Sequence, residues 1–269
     1  MKIGIVGASG LVGYNLFQFL SEKKENVLGT YCSTKKDGLV KLDLLTDDFS
    51  LFDKCTHVII IAALANIDQC YLKKEEAYKI NVERTVELIQ RLGGKGIKSI
   101  FISSDQVFDG IKGYYKEDDL PNPVNYYGKF KLQVEEFLKN NLKNYLILRL
   151  SKIYSRNLQD NSMFAEILLK LQKKEKIKAA FNQIYNPTEV RKVCAGIHLS
   201  IKKDLDSVYH LADKQIMSRY DFARSIAEEF GLDEDLIEKV DFNRLPVLEK
   251  RALNSSLNID KFAKISDLS

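Results

Sequence analysis

The sequence predicts an α/β protein with a doubly wound parallel sheet and a small C-terminal α/β lobe. Short apolar runs alternate with longer amphipathic stretches over the first 150 residues, which is the pattern of strands joined by crossover helices. One run, Val58–Ala63, is apolar throughout, as expected for a strand buried on both faces. The first strand leads into the regularly spaced Gly7, Gly10 and Gly13, which is typical of the first turn of a dinucleotide-binding, Rossmann-type sheet.

The elements of the first half follow from these periodicities. The predicted strands are Lys2–Val6, Asn26–Tyr31, His57–Ala62, Ser99–Ser103 and Tyr145–Leu150. The predicted helices are Leu11–Ser21, Ala77–Leu92 and Tyr126–Asn140. We therefore expect residues 1–150 to form the dinucleotide-binding domain.

The second half is less regular. Helical patterns cover Asn161–Lys174, Thr188–Lys202 and Ser218–Phe230, and a strand-like run covers Val208–Ala212. We expect residues 151–269 to form mainly a substrate-binding lobe over the carboxyl edge of the sheet, with some segments returning to the main sheet.

Composition narrows the function classes. The 41 basic and 37 acidic residues nearly cancel, which argues against nucleic-acid binding. The four cysteines form no C-x-x-C pair, so neither a disulfide framework nor a metal site is expected. The sequence starts with a strand and has no apolar run of about 20 residues, so we expect a cytoplasmic protein with no signal peptide and no membrane partner.

The glycine turn predicts an anion site. Glycine allows the main chain to approach a ligand closely. A helix that begins directly after such a turn presents free N–H groups and its positive dipole end to a phosphate. A tight turn without a ligand is the alternative, and the strand before the turn and the helix after it favour the phosphate.

Two further segments carry groups suited to carbonyl chemistry. In Phe101–Gly110 a strand ends and places Ser103, Ser104 and Asp105 in a loop. In Pro123–Glu136, Tyr127 and Lys131 are four residues apart on a predicted helix, so they share a face. We expect the ammonium to lower the pKa of the phenol. Tyrosine could then protonate a carbonyl oxygen as hydride arrives, while a serine hydroxyl binds that oxygen.

These segments, in this order, resemble the extended short-chain dehydrogenase/reductase family, and within it the dTDP-4-dehydrorhamnose reductase branch. The resemblance extends over nearly the whole chain. The matching motifs are GASGLVG, AALANIDQCYLKKEEAYKIN, SSDQVFDG, YYGKFKLQVE, LRLSKIYS, QIYNPT, YHLADKQIMSRYDFA and RALNSSL. The resemblance implies a reductase that acts on a nucleotide-linked 4-keto-deoxysugar, with a homodimer as one option.

The resemblance also implies roles for individual residues. Ser104 would orient the carbonyl, Tyr127 would donate the proton, and Lys131 would bind the nicotinamide ribose. The cofactor would contact Gly7, Ser9, Gly10, Leu11, Gly13, Asp43, Leu44, Ala62 and Ala63, with Asn81 either supporting this site or serving as a buried structural amide. The nucleotide sugar would contact Ser104, Asp105, Gln106, Lys152, Gln183, Pro187 and Thr188, with Arg251 either meeting its phosphates or lying on the surface.

The end of the second strand bears on the choice of cofactor. NAD enzymes of this type commonly place an acid there to hold the adenosine 2′-hydroxyl. After Tyr31 this chain has no acid until Asp37, whereas Ser33 and Lys35 could bind a 2′-phosphate. The sequence therefore favours NADPH, and NADH stays open.

The chain departs from the branch at five positions. Gln106 stands in place of a tyrosine, Lys152 in place of a tryptophan and Ala252 in place of a proline, and Leu64 and Ala65 differ from the usual polar loop. The first two would make the sugar pocket more polar or cationic. These departures leave open the alternative that the protein is a non-catalytic subunit that binds the cofactor, like the regulatory subunit of methionine adenosyltransferase. A sugar-nucleotide epimerase or dehydratase is the other alternative.

Overall fold

A computed structural model describes residues 1–265, so the last four residues of the predicted lobe, 266–269, lie outside the described part. The strands are β1 Lys2–Val6, β2 Asn26–Tyr31, β3 Leu39–Lys41, β4 His57–Ile60, β5 Lys98–Ser104, β6 Tyr145–Leu150, β7 Ile153–Tyr154, β8 Ile177–Ala180, β9 Ile184–Tyr185, β10 Thr188–Glu189, β11 Ser207–Leu211, β12 Met217–Ser218 and β13 Ile237–Val240. The α-helices are α1 Leu11–Glu22, α2 Ile67–Leu72, α3 Lys74–Tyr78, α4 Thr85–Gly94, α5 Tyr126–Asn141, α6 Met163–Gln172, α7 Val190–Lys202, α8 Arg219–Glu229 and α9 Asp260–Ala263.

Seven parallel strands form the central sheet in the order β11-β6-β5-β4-β1-β2-β3. The chain runs from β1 outward to β3 and then crosses back, so that β4 lies on the other side of β1. The strand order therefore reverses between β1 and β4, where ligands bind in open sheets of this type. This architecture confirms the predicted fold class.

Helices cover both faces of the sheet because successive strand residues point to opposite sides. On one face, Ile59 of β4 belongs to a core built with α1 and α7. On the other face, Val58 and Ile60 belong to a core built with α4 and α5. The apolar run that predicted β4 is thus buried on both sides.

The C-terminal half forms its own small core and also extends the main sheet. Helices α6 and α8 pack with β8, β9 and β13 around Phe164, Ile167 and Phe222. In contrast, β11 pairs with β6 at the edge of the central sheet. Segments beyond residue 150 thus contribute to both units.

Some predicted boundaries were wrong. Strand β4 ends at Ile60 because the backbone N–H groups of Ile61 and Ala62 both donate to the carbonyl of Val6. The predicted helix Ala77–Leu92 is continuous in space but changes to a π-helical turn over Lys79–Arg84. Such turns are frequent at functional sites, and this one contains the buried Asn81.

Candidate active site

The glycine turn opens onto a cavity of about 560 Å³ at the carboxyl ends of β1, β2 and β4. We call it the glycine-turn cavity. Its walls include the predicted cofactor residues Gly7, Ser9, Gly10, Leu11, Tyr31, Asp43, Leu44, Ala62 and Ala63. Its size and largely apolar lining are those of a small-molecule site. The cavity lies where the strand order reverses.

At two positions of the turn, neighbouring backbone atoms lie so close that only glycine fits. Gly7 has φ +85°, and a Cβ there would lie 2.6 Å from the backbone of Ala62. Gly13 does not line the cavity, but a Cβ there would lie 2.3 Å from the carbonyl oxygen of Gly7. These two positions seat α1 directly on the turn. The helix N-terminus is thereby fixed toward the cavity.

The N-terminus of α1 suits a pyrophosphate. Gly10 is the N-cap, and no side chain in the described chain accepts from the first N–H groups of the helix. Unpaired N–H groups and the helix dipole favour an anion. The residues present therefore fit a dinucleotide cofactor, whose phosphates Gly7, Gly10 and Leu11 would hold.

Other predicted cofactor residues lie outside this cavity. Ser33 and Lys35 are exposed in the loop that follows Tyr31 and Cys32, both of which line the cavity. Asn81 is buried: its amide oxygen accepts from the backbone N–H of Leu64 at 2.8 Å, and its amide nitrogen donates to the Leu64 carbonyl at 3.0 Å. Asn81 thus holds the backbone of Leu64, which lines the glycine-turn cavity.

A second cavity, of about 500 Å³, adjoins the first. We call it the Ser104 cavity. It shares Ala65 with the glycine-turn cavity. Its walls include Ser104, Asp105, Gln106, Tyr127, Lys152, Gln183, Arg251 and Ala252. The structure therefore brings together most of the predicted catalytic and substrate residues beside the cofactor-sized cavity.

Helix α5 places Tyr127 in the wall of the Ser104 cavity. The Asn125 side chain caps the helix by accepting from the Gly128 N–H at 2.8 Å, and its amide nitrogen donates to the Gln106 side chain at 3.1 Å. A Cβ on Gly128 would lie 2.0 Å from the Gln106 carbonyl oxygen. Only glycine allows this approach. The first turn of α5 is therefore packed directly against the Ser104–Gln106 turn.

The expected lowering of the Tyr127 pKa is not found. Burial raises the pKa of the Tyr127 phenol, and the neighbouring Asp105 adds to this, although a hydrogen bond with Ser104 acts in the opposite direction. The Lys131 ammonium lies 5.8 Å from the centre of the Tyr127 ring and donates to the Ile102 carbonyl at 2.8 Å. The shared face was predicted correctly. The sign was wrong because desolvation and the charge of Asp105 outweigh the hydrogen bond from Ser104.

Lys131 itself is buried without an ion pair in the described chain. Burial lowers its pKa to about 8, although Glu135 acts in the opposite direction. Near neutral pH the lysine carries its charge at a cost in stability.

Replacing Lys131 by Met is expected to stabilise the protein without cofactor at pH 7 by about 1–3 kcal/mol. The folded pKa of about 8 lies below the ordinary 10.5, so the penalty is complete below pH 8 and is relieved toward pH 10.5. Urea denaturation should show the gain shrinking over this range. The exposed Lys129 of the same helix is the control, and an equal gain in Lys129→Met would contradict the explanation.

Ser104 is bound to a buried carboxyl. Its hydroxyl donates to Asp105 Oδ1 at 3.0 Å and accepts from the Gln106 N–H at 3.2 Å. Ser151 and Ser255 donate to the other Asp105 oxygen at 3.3 Å and 2.6 Å. Burial raises the pKa of Asp105, and these hydrogen bonds oppose it. This network fixes the floor of the Ser104 cavity.

The remaining predicted substrate residues divide into two groups. Gln183, Lys152 and Arg251 line the Ser104 cavity, and Arg251 also pairs with Asp68 at 2.7 Å. Pro187 and Thr188 do not line it. Pro187 borders a separate surface cavity. The Thr188 hydroxyl is buried and donates to the Asn186 carbonyl at 3.0 Å, so the turn supports the fold of the lobe.

Sequence reasoning missed several residues of this cavity. Ser151, Tyr185, Arg219, Phe242 and Ser255 all line it. Ser255 lies in the motif RALNSSL and Arg219 in YHLADKQIMSRYDFA, so both stood in matching motifs, but neither motif indicated that its residue lines this cavity.

A family model of the RmlD substrate binding domain matches residues 1–269. The chain belongs to this family. The RmlD family assignment agrees with the glycine turn, the serine loop and the Tyr127–Lys131 helix described above. Within residues 1–265, no helix is both long and apolar enough to cross a bilayer.

Three of the proteins to which this chain is similar show the kinds of relatives that it has. A solved structure from Sulfolobus tokodaii, described as a hypothetical dTDP-4-dehydrorhamnose reductase, is 34% identical, with a TM-score of 0.88, 99% of this chain covered and 95% of that chain. The dTDP-4-dehydrorhamnose reductase of Aggregatibacter actinomycetemcomitans is 29% identical over 97% of this chain and 91% of its own. The methionine adenosyltransferase 2 subunit beta of Xenopus tropicalis is 28% identical over 97% of this chain and 81% of its own.

Proposed function

We propose that the protein is an NADPH-dependent reductase of a nucleotide-linked 4-keto-deoxysugar, similar to dTDP-4-dehydrorhamnose reductase. One observation carries the proposal. A cavity with a helix N-terminus that no side chain of residues 1–265 caps adjoins a second cavity lined by Ser104 and Tyr127. A dinucleotide in the first cavity would meet a sugar in the second. The reductase names of the Aggregatibacter and Sulfolobus relatives support the same activity.

Each catalytic side chain has a defined task in this proposal. NADPH, when bound, supplies a hydride for the carbonyl carbon. Tyr127 holds its proton at neutral pH because burial raises the pKa of its phenol, so it can protonate the carbonyl oxygen. Ser104 turns its hydroxyl from Asp105 toward that oxygen and stabilises its developing charge. Lys131 lies behind Tyr127 and binds the nicotinamide ribose.

The choice of NADPH rests on the loop after β2. Tyr31 and Cys32 border the glycine-turn cavity, and no carboxylate follows them before Asp37. Exposed Ser33 and Lys35 are free to bind the 2′-phosphate. An acid in this position would instead favour NADH.

Substrate, location and assembly complete the proposal. dTDP-4-dehydrorhamnose is the first substrate to test, because the Aggregatibacter and Sulfolobus relatives are named as reductases of it. We place the reaction in the cytoplasm, as part of nucleotide-sugar and dTDP-rhamnose biosynthesis, with a homodimer as one option for the assembly. Light scattering at assay concentrations measures the assembly directly.

The test of function is NADPH consumption with a panel of thymidine and uridine diphosphate 4-keto sugars. We expect NADPH absorbance to fall stoichiometrically when at least one sugar of the panel is added. With NADH, kcat/KM should be lower by about tenfold or more. An epimerase or dehydratase would recycle its hydride and consume no NADPH. Binding of NADPH without turnover of any sugar in the panel would overturn the reductase proposal.

A further inference from the structure

The loop after β3 forms one wall of the glycine-turn cavity. Asp43, Leu44 and Leu45 line the cavity there. The loop closes on itself, since the Leu45 N–H donates to Asp43 Oδ1 and the Asp47 N–H donates to the Asp43 carbonyl, both at 2.9 Å. Ser104 ends β5, which lies on the far side of β4 and β1 in the sheet. A dinucleotide whose nicotinamide meets the Ser104 cavity would therefore place its adenosine against the loop after β3.

Arg84 binds this loop with its guanidinium group. Its Nε donates to the Leu44 carbonyl, and its Nη2 donates to the Asp47 carbonyl at 2.7 Å. Its Nη1 pairs with Glu87, and its Cζ lies 4.7 Å from the centre of the buried Phe49 ring. All three nitrogens of the guanidinium thus have partners within the protein. The planar group fixes two carbonyls of the loop at once, which a single ammonium could not do.

The position of Arg84 follows from the π-helical turn Lys79–Arg84. The same turn contains Asn81, whose amide binds the Leu64 backbone through two hydrogen bonds. Leu64 belongs to the cavity wall that follows β4, and Leu44 belongs to the wall that follows β3. One helical turn therefore supports two walls of the cavity.

The contacts of Arg84 order the loop more than they stabilise the fold. The ion pair with Glu87 is a minor contribution, because Glu87 is exposed and ion pairs at the surface are weak. The side chains of Leu42 and Phe49 anchor both ends of the loop in the core. Without Arg84 the fold would persist, but the loop would lose two hydrogen bonds to its carbonyls. A ligand that binds against the loop would then have to order it, which lowers affinity.

We infer that Arg84 is a positioning residue of the cofactor site, which raises the affinity for the adenosine half of the dinucleotide by fixing the carbonyls of Leu44 and Asp47. Because its nitrogens are occupied by the protein, Arg84 acts through the loop rather than through a contact of its own with the cofactor. The inference rests on the proposed function, since it requires the glycine-turn cavity to bind NADPH.

Two fragments of the cofactor test this inference without requiring turnover. Adenosine 2′,5′-bisphosphate represents the adenosine half, and reduced nicotinamide mononucleotide represents the nicotinamide half. Arg84→Met should raise the Kd for the bisphosphate and for NADPH by about tenfold and leave the Kd for the mononucleotide unchanged. Calorimetry measures the first two ligands, and nicotinamide fluorescence measures the third. The kcat at saturating NADPH should stay at the parent value.

Arg91→Met is the matched control. Arg91 lies in α4, which continues directly from the π-helical turn, and it pairs with Asp53 at 2.8 Å. This variant also removes an arginine and its ion pair, but it should bind both fragments like the parent. Arg84→Lys keeps the positive charge and cannot bind both carbonyls together. It should therefore show the same selective loss as Arg84→Met, and it decides the question if the methionine variant does not fold.

The outcomes separate this inference from the proposed function. An equal loss of affinity for both fragments in the Arg84 variants would indicate a general disturbance of the fold and overturn the inference. Unchanged affinity for the bisphosphate would overturn it as well. A parent protein that binds neither fragment would contradict the proposed cofactor and the inference together. The selective loss in a protein that reduces no keto sugar would support the inference and count against the reductase.

Discussion

Replacing Tyr127 by Phe is expected to lower kcat for keto-sugar reduction by about 10²–10⁴-fold. The substitution removes the phenol that we propose as the proton donor and keeps the ring that packs in the Leu64, Cys70 and Phe130 cluster. NADPH affinity and the urea midpoint should therefore stay near the parent values. Steady-state kinetics, calorimetry and denaturation measure the three quantities.

The neighbouring Tyr126 provides a matched control. It lies one residue earlier on α5, is half-buried, and packs against Tyr71 outside the Ser104 cavity. Tyr126→Phe should keep full activity. If Tyr127→Phe also keeps full activity, the proton comes from elsewhere. If the parent has no turnover while both variants bind NADPH alike, a regulatory role resembling that of the methionine adenosyltransferase subunit gains support.

The sequence was sufficient for most of the central sheet because its signals are local. Five of the six strands within residues 1–150 were predicted from their apolar runs, and the glycine turn has its own spacing. Strand β3 was missed because a run of three residues is too short to show a periodic pattern. Tyr127 and Lys131 could be placed on one face from helix geometry alone. These features depend on residues close in sequence.

The sequence alone could not predict the pKa shifts in the Ser104 cavity or the residues that enclose it. The pKa of Tyr127 depends on how much protein surrounds it, and this burial comes from Leu64, Cys70 and the lobe. Asp105 is satisfied by Ser255, which is 150 residues away. Pro187 and Thr188 were placed near the sugar by motif, but neither lines the Ser104 cavity. Such contacts follow only from the folded chain.

Replacing Gly13 or Gly10 of the turn by alanine should have different effects on stability and on NADPH binding. A Cβ on Gly13 would lie 2.3 Å from the Gly7 carbonyl oxygen, whereas the nearest atom to a Cβ on Gly10 is that same oxygen at 3.9 Å. Gly13→Ala is therefore expected to lower the free energy of unfolding by about 3 kcal/mol. It should also weaken NADPH binding, because α1 can no longer seat on the turn.

Gly10→Ala should leave the free energy of unfolding within about 0.5 kcal/mol of the parent. Gly10 lines the cavity, so the added methyl group would occupy the space where we propose that the pyrophosphate meets the backbone. We expect the Kd for NADPH to rise about tenfold or more, which corresponds to about 1.4 kcal/mol. Unchanged NADPH affinity in Gly10→Ala would mean that the turn only packs α1 against the sheet, and the cofactor would then have to bind elsewhere.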